Sequence, residues 1–224
     1  MANLPVGRVI SVRTGRIVRH DRPGWDEVRS PWRTAFWKDE AEGPMPVTTL
    51  GLMGDEQADT RHHGGPERAV LMYPGEHYAH WRTRPGLEGM GPGGLGENLT
   101  TEGLDERTVC VGDVLEVGGV VVQVSSPRGP CMDISRRWDT EWLLREVVAA
   151  RAPGWYLRVL REGVVARGDA VRCTDRPHPG WTVERVLRLR DEAPRLRAER
   201  DAAASLESLA AEWRERLATL PVVD

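Results

Sequence analysis

The 224-residue chain contains only three cysteines and no long run of apolar residues. No window approaches the roughly 20 apolar residues that a membrane-spanning helix needs, so we expect no contact with a membrane. The cysteines are widely spaced and odd in number, which favours a reducing compartment over a framework of disulfides. The first residues include neither a basic nor an apolar leader region. Together these absences predict a cytoplasmic protein.

Basic residues are not in excess either, since the formal net charge is −3. A nucleic-acid-binding surface normally carries a surplus of positive charge, so we expect no nucleic-acid partner. Among the 31 basic residues only Lys38 is a lysine. Because an ammonium group is a compact point charge that suits a phosphate oxygen, Lys38 is a candidate contact for a phosphorylated ligand.

Short apolar segments separated by glycine and proline cover most of the chain up to residue 176. They predict a mainly β (α+β) fold that closes into a barrel or a compact sandwich. An opening strand pair or hairpin is expected at residues 7–19, and further strands at 69–73, near 99, at 109–117, 120–124, 155–160, 164–166 and 170–173. The few helices within this part are short and expected at residues 75–82 and 140–150, the second capped by Asp139.

The composition changes at residues 175–180, where prolines and a glycine indicate a linker. Beyond it Thr182 can cap a first helix, Pro194 can start a second, and a third carries apolar residues at helical spacing (Leu206, Leu209, Trp213 and Leu217). The sequence therefore predicts a barrel domain of residues 1–176 and a small three-helix domain of residues 177–224.

Residues 20–46 are predicted to form an irregular loop with four large aromatic side chains (Trp25, Trp32, Phe36 and Trp37). A loop of this length is more often functional than a simple connection. Its aromatic side chains most often pin such a loop to the body of a domain. The alternative is that they wall a pocket for a planar ligand.

Cys131 has the most distinctive setting of the cysteines, at the end of Pro127-Arg128-Gly129-Pro130-Cys131 and just after an apolar strand. The two prolines restrict the backbone and hold the thiol on a stiff loop. Arg128, Arg136 and Arg137 would favour its thiolate form. Cys110 and Cys173 lie in strand-like contexts, where burial is expected. A buried and unreactive thiol is also the alternative for Cys131.

Two further chemistries based on Cys131 stay open from the residues alone. A zinc site would combine the thiolate with imidazoles, although no CxxC or HExxH spacing is present. A cysteine hydrolase would need His62, His63 or His77 as its base and an oxyanion hole from the glycine loops. Residues 91–96 formally match GxGxxG, but a proline interrupts them and no strand precedes them, so we reject a dinucleotide site.

An anion-binding site accounts for more of the chain. The guanidinium groups of Arg61, Arg68 and Arg128 are donors of the kind that a phosphorylated cofactor uses. The backbone amides of the glycines at 64–65 and 94–96 can supply further donors.

Consecutive motifs along the chain resemble those of MOSC-domain proteins, the family of the molybdenum cofactor sulfurase C-terminal domain. The motifs are GLMGDEQAD at 51–59, HGGPERAV at 63–70, YP at 73–74, EHY at 76–78 followed by Trp81, GENL at 96–99, VGD at 111–113 and PRGPC at 127–131. The similarity covers essentially the whole chain. It is greatest with a bacterial branch that carries a C-terminal three-helix domain and is linked to resistance against hydroxylaminopurine.

The resemblance implies a MOSC-type β-barrel and a molybdenum cofactor (molybdopterin) whose metal is ligated by Cys131; soft thiolates suit such metals. It also implies reduction of N-hydroxylated small molecules, namely hydroxylamines, amidoximes and N-hydroxylated bases, with Asp133 or His63 assisting proton delivery. Because the chain shows no flavin, haem or iron–sulfur signature, electrons are expected from a separate reductase. A homodimer is also implied. The candidate cofactor contacts are Lys38, Arg61, His63, Gly64, Gly65, Arg68, Asn98 and Arg128.

The chain departs from the family pattern next to the cysteine. Relatives tend to carry an aromatic residue and a lysine there, where this chain has Met132 and Asp133. Arg68 replaces a frequent lysine and keeps its charge. A second hypothesis of a different class is a sulfur-carrier or cofactor-handling protein that bears a persulfide on Cys131 and performs no redox turnover.

Overall fold

The computed structural model describes residues 4–21, 32–192 and 196–219. Its strands are β1 (Val6–Thr14), β2 (Val18–His20), β3 (Trp32–Thr34), β4 (Asp39–Glu40), β5 (Met45–Thr48), β6 (Gly51–Leu52), β7 (Val70–Pro74), β8 (Leu99–Glu102), β9 (Val114–Val117), β10 (Val120–Pro127), β11 (Trp155–Arg161), β12 (Gly163–Val165) and β13 (Ala170–Asp175). Its helices are α1 (His77–Trp81), α2 (Asp133–Trp138), α3 (Leu143–Ala149), α4 (Val183–Asp191), α5 (Arg197–Ala204) and α6 (Ala211–Thr219), with a 3-10 turn at Pro66–Arg68.

Seven strands close into a mixed β-barrel in the order β13-β9-β10-β11-β7-β8-β1, and the pairing of β13 with β1 completes the ring. Neighbouring barrel strands are antiparallel except β7 and β8, which are parallel. Strands β12, β5 and β6 form a smaller sheet, and β2 pairs with β3. The predicted mainly β barrel with a few short helices is confirmed.

Strand β10 carries the chain to the loop of Cys131. Val120, Val122 and Val124 are at most 2% exposed, because alternate side chains of a strand point to the same face. The strand pairs with β9 on one side and with β11 on the other. Its pairing ends at Pro127, so the following loop leaves the barrel from a firmly held strand.

The predicted hairpin at residues 7–19 is wrong in its pairing. Strand β1 pairs with β13, β8 and β4, whereas β2 pairs with β3. At Gly15 the chain passes so close to another segment that an added Cβ would lie 2.3 Å from the carbonyl oxygen of Ala35. The chain therefore turns away from the barrel here and does not fold back on β1. The expected irregular loop at 20–46 contains β3, β4 and the start of β5, and Trp25 lies outside the described residues.

The predicted helix at 140–150 is shorter and begins differently. Asp139 does not cap it; the residue has φ 54° and ends α2, a helix that the sequence analysis did not predict. Aspartate tolerates this left-handed conformation better than most residues, so it suits a helix C-terminus as well as an N-terminus. The helix expected at 75–82 is the shorter α1, and Pro74 ends β7. Residues 109–111 form no strand, since Cys110 makes only an isolated bridge with Thr182.

The three C-terminal helices are present as α4, α5 and α6, although Pro194 lies outside the described residues. Thr182 caps α4 as predicted, because its side chain accepts a hydrogen bond from the backbone nitrogen of Arg185. One apolar cluster contains barrel residues such as Leu115 together with Leu187 of α4 and Leu217 of α6. The division of the chain into domains at residue 176 stays a prediction. No helix in the described part of the chain combines the length and apolar character needed to cross a membrane.

Leu187→Ala tests whether the barrel and the C-terminal helices unfold together in one cooperative transition. Leu187 is fully buried, so the cavity left by the substitution should lower the free energy of unfolding by about 2–5 kcal/mol. Because one apolar cluster spans both parts, circular dichroism and tryptophan fluorescence should report one shared transition at lower denaturant. The control Leu160→Ala removes a side chain that is 53% exposed and should change stability by less than about 0.5 kcal/mol. Two separate transitions, with only the helical one displaced, would contradict the expectation.

Candidate functional site

A pocket of about 720 Å³ lies at the end of β10, where the loop 127–132 leaves the barrel. Four parts of the chain form most of its walls: the segment 32–38, the turns between residues 55 and 69, the loop 126–133 with α2, and the start of α6. Single residues from other segments complete the lining, namely Leu71, Gly96, Asn98 and Tyr156. Of the predicted site residues, the pocket brings together Lys38, His63, Gly64, Arg68, Asn98, Arg128, Cys131 and Asp133. Arg61 and Gly65 are not part of its wall.

Cys131 is partly exposed in this pocket, whereas Cys110 and Cys173 are buried as predicted. Burial raises the pKa of the Cys131 thiol and outweighs the opposite effect of Arg128. Arg128 thus favours the thiolate as expected, but burial decides the net shift, so the predicted thiolate is not the favoured form in the protein alone. Arg137 instead donates to the carbonyl oxygens of Phe36 and Gly93, at 3.3 and 2.9 Å. At neutral pH the Cys131 side chain is therefore the protonated, neutral thiol.

Arg128 is the buried cation closest in sequence to the thiol. It is 2% exposed, and its guanidinium carbon lies 5.7 Å from the centre of the Phe36 ring. Its Nε and one terminal nitrogen, Nη1, are buried and have no hydrogen-bond partner among the described residues. Buried donors normally have partners, so two unpaired nitrogens of a cation in a pocket wall are a strong indication of an anionic ligand.

The floor of the pocket is a closed polar network around Asp55. Lys38 donates from Nζ to Asp55 Oδ1, and the backbone nitrogen of Gly15 donates to the same oxygen at 2.7 Å. Asn98 Nδ2 donates to Asp55 Oδ2 at 2.9 Å, while Asn98 Oδ1 accepts from the backbone nitrogen of Leu71 at 3.1 Å. Burial lowers the pKa of Lys38 although Asp55 opposes the shift. Asn98 therefore uses both its donors and its acceptor on protein partners, because Nδ2 also donates to the carbonyl oxygen of Arg13 at 3.2 Å, whereas the ammonium group of Lys38 has a single hydrogen bond among the described residues, to Asp55.

The turn with His63 and Gly64 forms one side wall. Gly64 has φ 74°, a conformation that favours glycine, and the 3-10 turn at Pro66–Arg68 follows. Burial is the largest cause that lowers the pKa of His63, and Arg128 acts in the same direction. His63 is therefore mainly a neutral imidazole at neutral pH.

Two charged residues of the wall are fixed by opposite charges. Asp133 accepts from Thr34 Oγ1 at 2.7 Å and from Arg136 Nη1 at 2.9 Å, so both carboxylate oxygens are occupied. Arg136 also lies over the Trp32 ring, 4.9 Å from its centre. Arg68 donates to the carbonyl oxygen of His62 and forms a 3.0 Å ion pair with Glu212 of α6.

The sequence analysis missed Tyr156 and the α6 residues that line the pocket, Glu212, Trp213 and Arg216. Tyr156 is a buried residue of β11, a strand that the apolar pattern did predict. Nothing in the local pattern of either segment distinguishes a residue that faces a ligand from one that faces the core. The aromatic loop contributes Trp32 and Phe36 to the wall. Phe36 also belongs to a buried apolar cluster and Trp37 packs against it, as expected of side chains that pin the loop, while the planar ligand stays a prediction.

Of the three candidate bases for a cysteine hydrolase, His63 lines the same pocket as Cys131, so the hydrolase interpretation stays a prediction that rests on this residue. His77 is not part of the pocket wall and bonds through Nε2 to Glu106 at 2.7 Å, while His62 Nδ1 bonds to Asp59 at 2.8 Å. Within residues 4–21, 32–192 and 196–219, no three His, Cys, Asp or Glu side chains are grouped to hold a metal ion. A zinc site made only of protein ligands therefore has no ligand set in those ranges.

The His77–Glu106 pair predicts a pH-dependent contribution to stability. Burial lowers the pKa of His77, but the hydrogen bond and charge of Glu106 outweigh it, and Asp105 and Glu76 add to the rise. A raised folded-state pKa stabilises the fold below the unfolded value of about 6.5, and the effect is lost as pH rises through the folded value. His77→Gln should therefore lower the free energy of unfolding more at about pH 5.5 than at about pH 9. His80→Gln, an exposed histidine of the same helix, is the control, and an equal loss at both pH values would disprove the ion pair.

Comparisons with known proteins agree with this architecture. Residues 59–172 match the family model described as MOSC domain. A Gibberella moniliformis protein named "Reductase" is 36% identical over 199 residues, which are 86% of this chain and 34% of that protein. YflK of Bacillus subtilis is 36% identical over 159 residues, 70% of each chain, and YiiM of Escherichia coli is 38% identical over 135 residues, 59% of this chain and 60% of YiiM. The chain thus spans about a third of the fungal relative and less than two thirds of E. coli YiiM.

Solved structures extend the similarity to nearly the whole chain. The crystal structure of YiiM from Geobacillus stearothermophilus has a TM-score of 0.77 and 27% identity, and covers 95% of this chain and 97% of that chain. The crystal structure of YiiM from E. coli has a TM-score of 0.74 and 26% identity, and covers 98% and 94% respectively.

Proposed function

The chain belongs to the MOSC domain family, and from this premise we propose that it reduces N-hydroxylated small molecules with a molybdenum cofactor whose metal is ligated by Cys131. The substrates would be hydroxylamines, amidoximes and N-hydroxylated bases. The fungal relative is named "Reductase", which supports a redox role.

The observation that carries the proposal is that one pocket holds a partly exposed thiol and a buried guanidinium, two of whose nitrogens have no hydrogen-bond partner among the described residues. A thiolate is a soft ligand that suits a molybdenum ion. The free Nε and Nη1 of Arg128 are donors for an anionic oxygen, such as a phosphate oxygen of the cofactor. The donor set therefore fits a molybdenum–pterin group, with Cys131 for the metal, and Arg128 and the turn at His63 and Gly64 for anionic and polar parts.

Overall, the reduction converts R–NHOH, two electrons and two protons into R–NH₂ and water. When bound, the cofactor supplies the two-electron chemistry that breaks the N–O bond. The protein residues position the reactants and move protons. His63 is the better proton-transfer group, because its neutral imidazole lines the pocket while both oxygens of Asp133 are occupied by Thr34 and Arg136.

Asp133 takes a positioning role in this proposal. It fixes Arg136 and Thr34 against the loop of Cys131, so that the wall next to the thiol does not move when a substrate enters. The electrons would come from a separate reductase, and we propose a cytoplasmic protein that assembles as a homodimer.

Metal analysis of the wild type beside Cys131→Ala and Cys173→Ala tests the proposed function. Expressed in a host that makes the cofactor, the wild type and Cys173→Ala should contain molybdenum, and Cys131→Ala should have lost most of it. Reduced viologen should drive amidoxime reduction by the first two proteins only. Cys173 is a matched control because its thiol is buried and outside the pocket wall, and burial raises its pKa to about 11.

Molybdenum retained by Cys131→Ala would overturn the ligand assignment. Sulfane sulfur on Cys131 without any turnover would instead support the persulfide carrier. Zinc in place of molybdenum in the wild type would support a structural metal or a hydrolase.

A further inference from the structure

The C-terminal helix α6 is part of the pocket and not merely an appendage to the barrel. Ala210, Ala211, Glu212, Trp213 and Arg216 all line the cavity. The helix start is held because the backbone nitrogen of Ala210 donates to the carbonyl oxygen of Ser125 on β10 at 2.8 Å. Trp213 is 5% exposed and packs in the cluster shared with the barrel.

Every carboxylate in the pocket wall is already matched by a cationic side chain or a histidine. Asp55 pairs with Lys38, Glu56 with Arg16, Asp59 with His62, Glu67 with Arg158, Asp133 with Arg136, and Glu212 with Arg68. An additional cation in the wall therefore has no carboxylate of the wall left to neutralise it.

Some of the cationic side chains in the pocket wall interact with a carboxylate, and others do not. Lys38, Arg68 and Arg136 belong to the pairs above, and Arg33 lies near enough to Glu56 to help lower the pKa of that carboxyl. Arg128 and Arg216 form no ion pair with the described residues. Arg128 is buried beside the thiol, whereas Arg216 is exposed on α6 and so stands at the opening of the same pocket.

We propose that Arg216 of α6 is an anion-binding residue at the pocket opening, which contacts a phosphate or carboxylate group of the ligand. Glu212, one helical turn earlier on the same face, neutralises Arg68 and so sets how much positive charge the opening carries. The identity of the ligand rests on the proposed function, since the anionic group belongs either to the cofactor or to the N-hydroxylated substrate. The anion site itself does not rest on it.

Alkylation of Cys131 in the full-length chain, produced without the cofactor, measures the charge at the opening directly. Iodoacetate is an anion and iodoacetamide is neutral, so the ratio of their rates cancels the fraction of thiolate. Each rate is divided by that of 2-mercaptoethanol, and Cys131→Ala gives the background from Cys110 and Cys173.

Arg216→Gln should lower the normalised preference for iodoacetate about threefold, because a local positive charge raises the concentration of an anion. The difference should vanish in about 1 M salt, where charges are screened beyond about 3 Å.

Glu212→Gln should have the opposite effect and raise the preference for iodoacetate, since it leaves Arg68 unneutralised. Arg197→Gln on α5 removes a 70% exposed charge outside the pocket and should leave the ratio unchanged. A purely structural role of α6 would open the pocket in both α6 variants and move them in the same direction. That result, or an Arg216→Gln ratio equal to that of Arg197→Gln, would overturn the proposal whatever the metal analysis shows.

The loaded protein then distinguishes the source of the anionic group. If the group is on the substrate, Arg216→Gln should raise KM for 4-carboxybenzamidoxime severalfold and leave KM for benzamidoxime and the molybdenum content unchanged. If the group is on the cofactor, Arg216→Gln should lower the molybdenum content and affect both substrates alike.

Discussion

The site depends on a guanidinium group that is buried next to a thiol and is not neutralised by the protein. Arg128 is 2% exposed, and two of its nitrogens have no partner in the described ranges. Leaving buried donors unpaired costs about 1–3 kcal/mol, and more for a charged group. A fold keeps such a group only when packing holds it firmly. The backbone nitrogen of Arg128 donates to the carbonyl oxygen of Gly154 at 3.0 Å, and Gly154 itself sits where an added Cβ would lie 2.4 Å from the carbonyl oxygen of Met72.

Arg128 hydrogen-bonds to the side chains of Cys131 and Tyr156, but the carboxylates of the pocket wall are paired with other cations. Lys38 is paired with Asp55 on the pocket floor, and Arg136 is paired with Asp133 beside the cysteine loop. Neither carboxylate is then available to Arg128. The same arrangement occurs on α6. There Glu212 pairs with Arg68, and Arg216 has no carboxylate partner among the described residues. The pocket wall therefore carries two cations without a carboxylate partner among the described residues, Arg128 beside the thiol and Arg216 on α6. The pKa of the thiol itself is raised by burial.

Sequence reasoning reached the parts of this arrangement that are encoded locally. The confirmed predictions that follow from neighbouring residues are the apolar alternation of β10, the position of Cys131 in the loop after it, the burial of Cys110 and Cys173, and the cap at Thr182. It failed where distant segments decide. Gly15 meets Ala35 and so separates β1 from β2, Arg137 turns to Phe36 and Gly93, and α6 lies across the end of β10. Asp139 shows a different limit, because aspartate suits both ends of a helix and the sequence alone did not decide between them.

The central claim is that the buried charge of Arg128 binds an anionic ligand and lowers the free energy of unfolding when no ligand is bound. Thermal unfolding and metal content of Arg128→Met test it directly, since methionine keeps much of the side-chain volume and removes the charge. A buried charge without a charged partner destabilises a protein, and replacing even a buried ion pair by well-packed apolar residues is often neutral or stabilising by about 1–4 kcal/mol. We predict that Arg128→Met raises the Tm of the cofactor-free protein and that the same variant purifies without molybdenum from a host that makes the cofactor. A variant that unfolds at a lower temperature and still carries molybdenum would contradict the account.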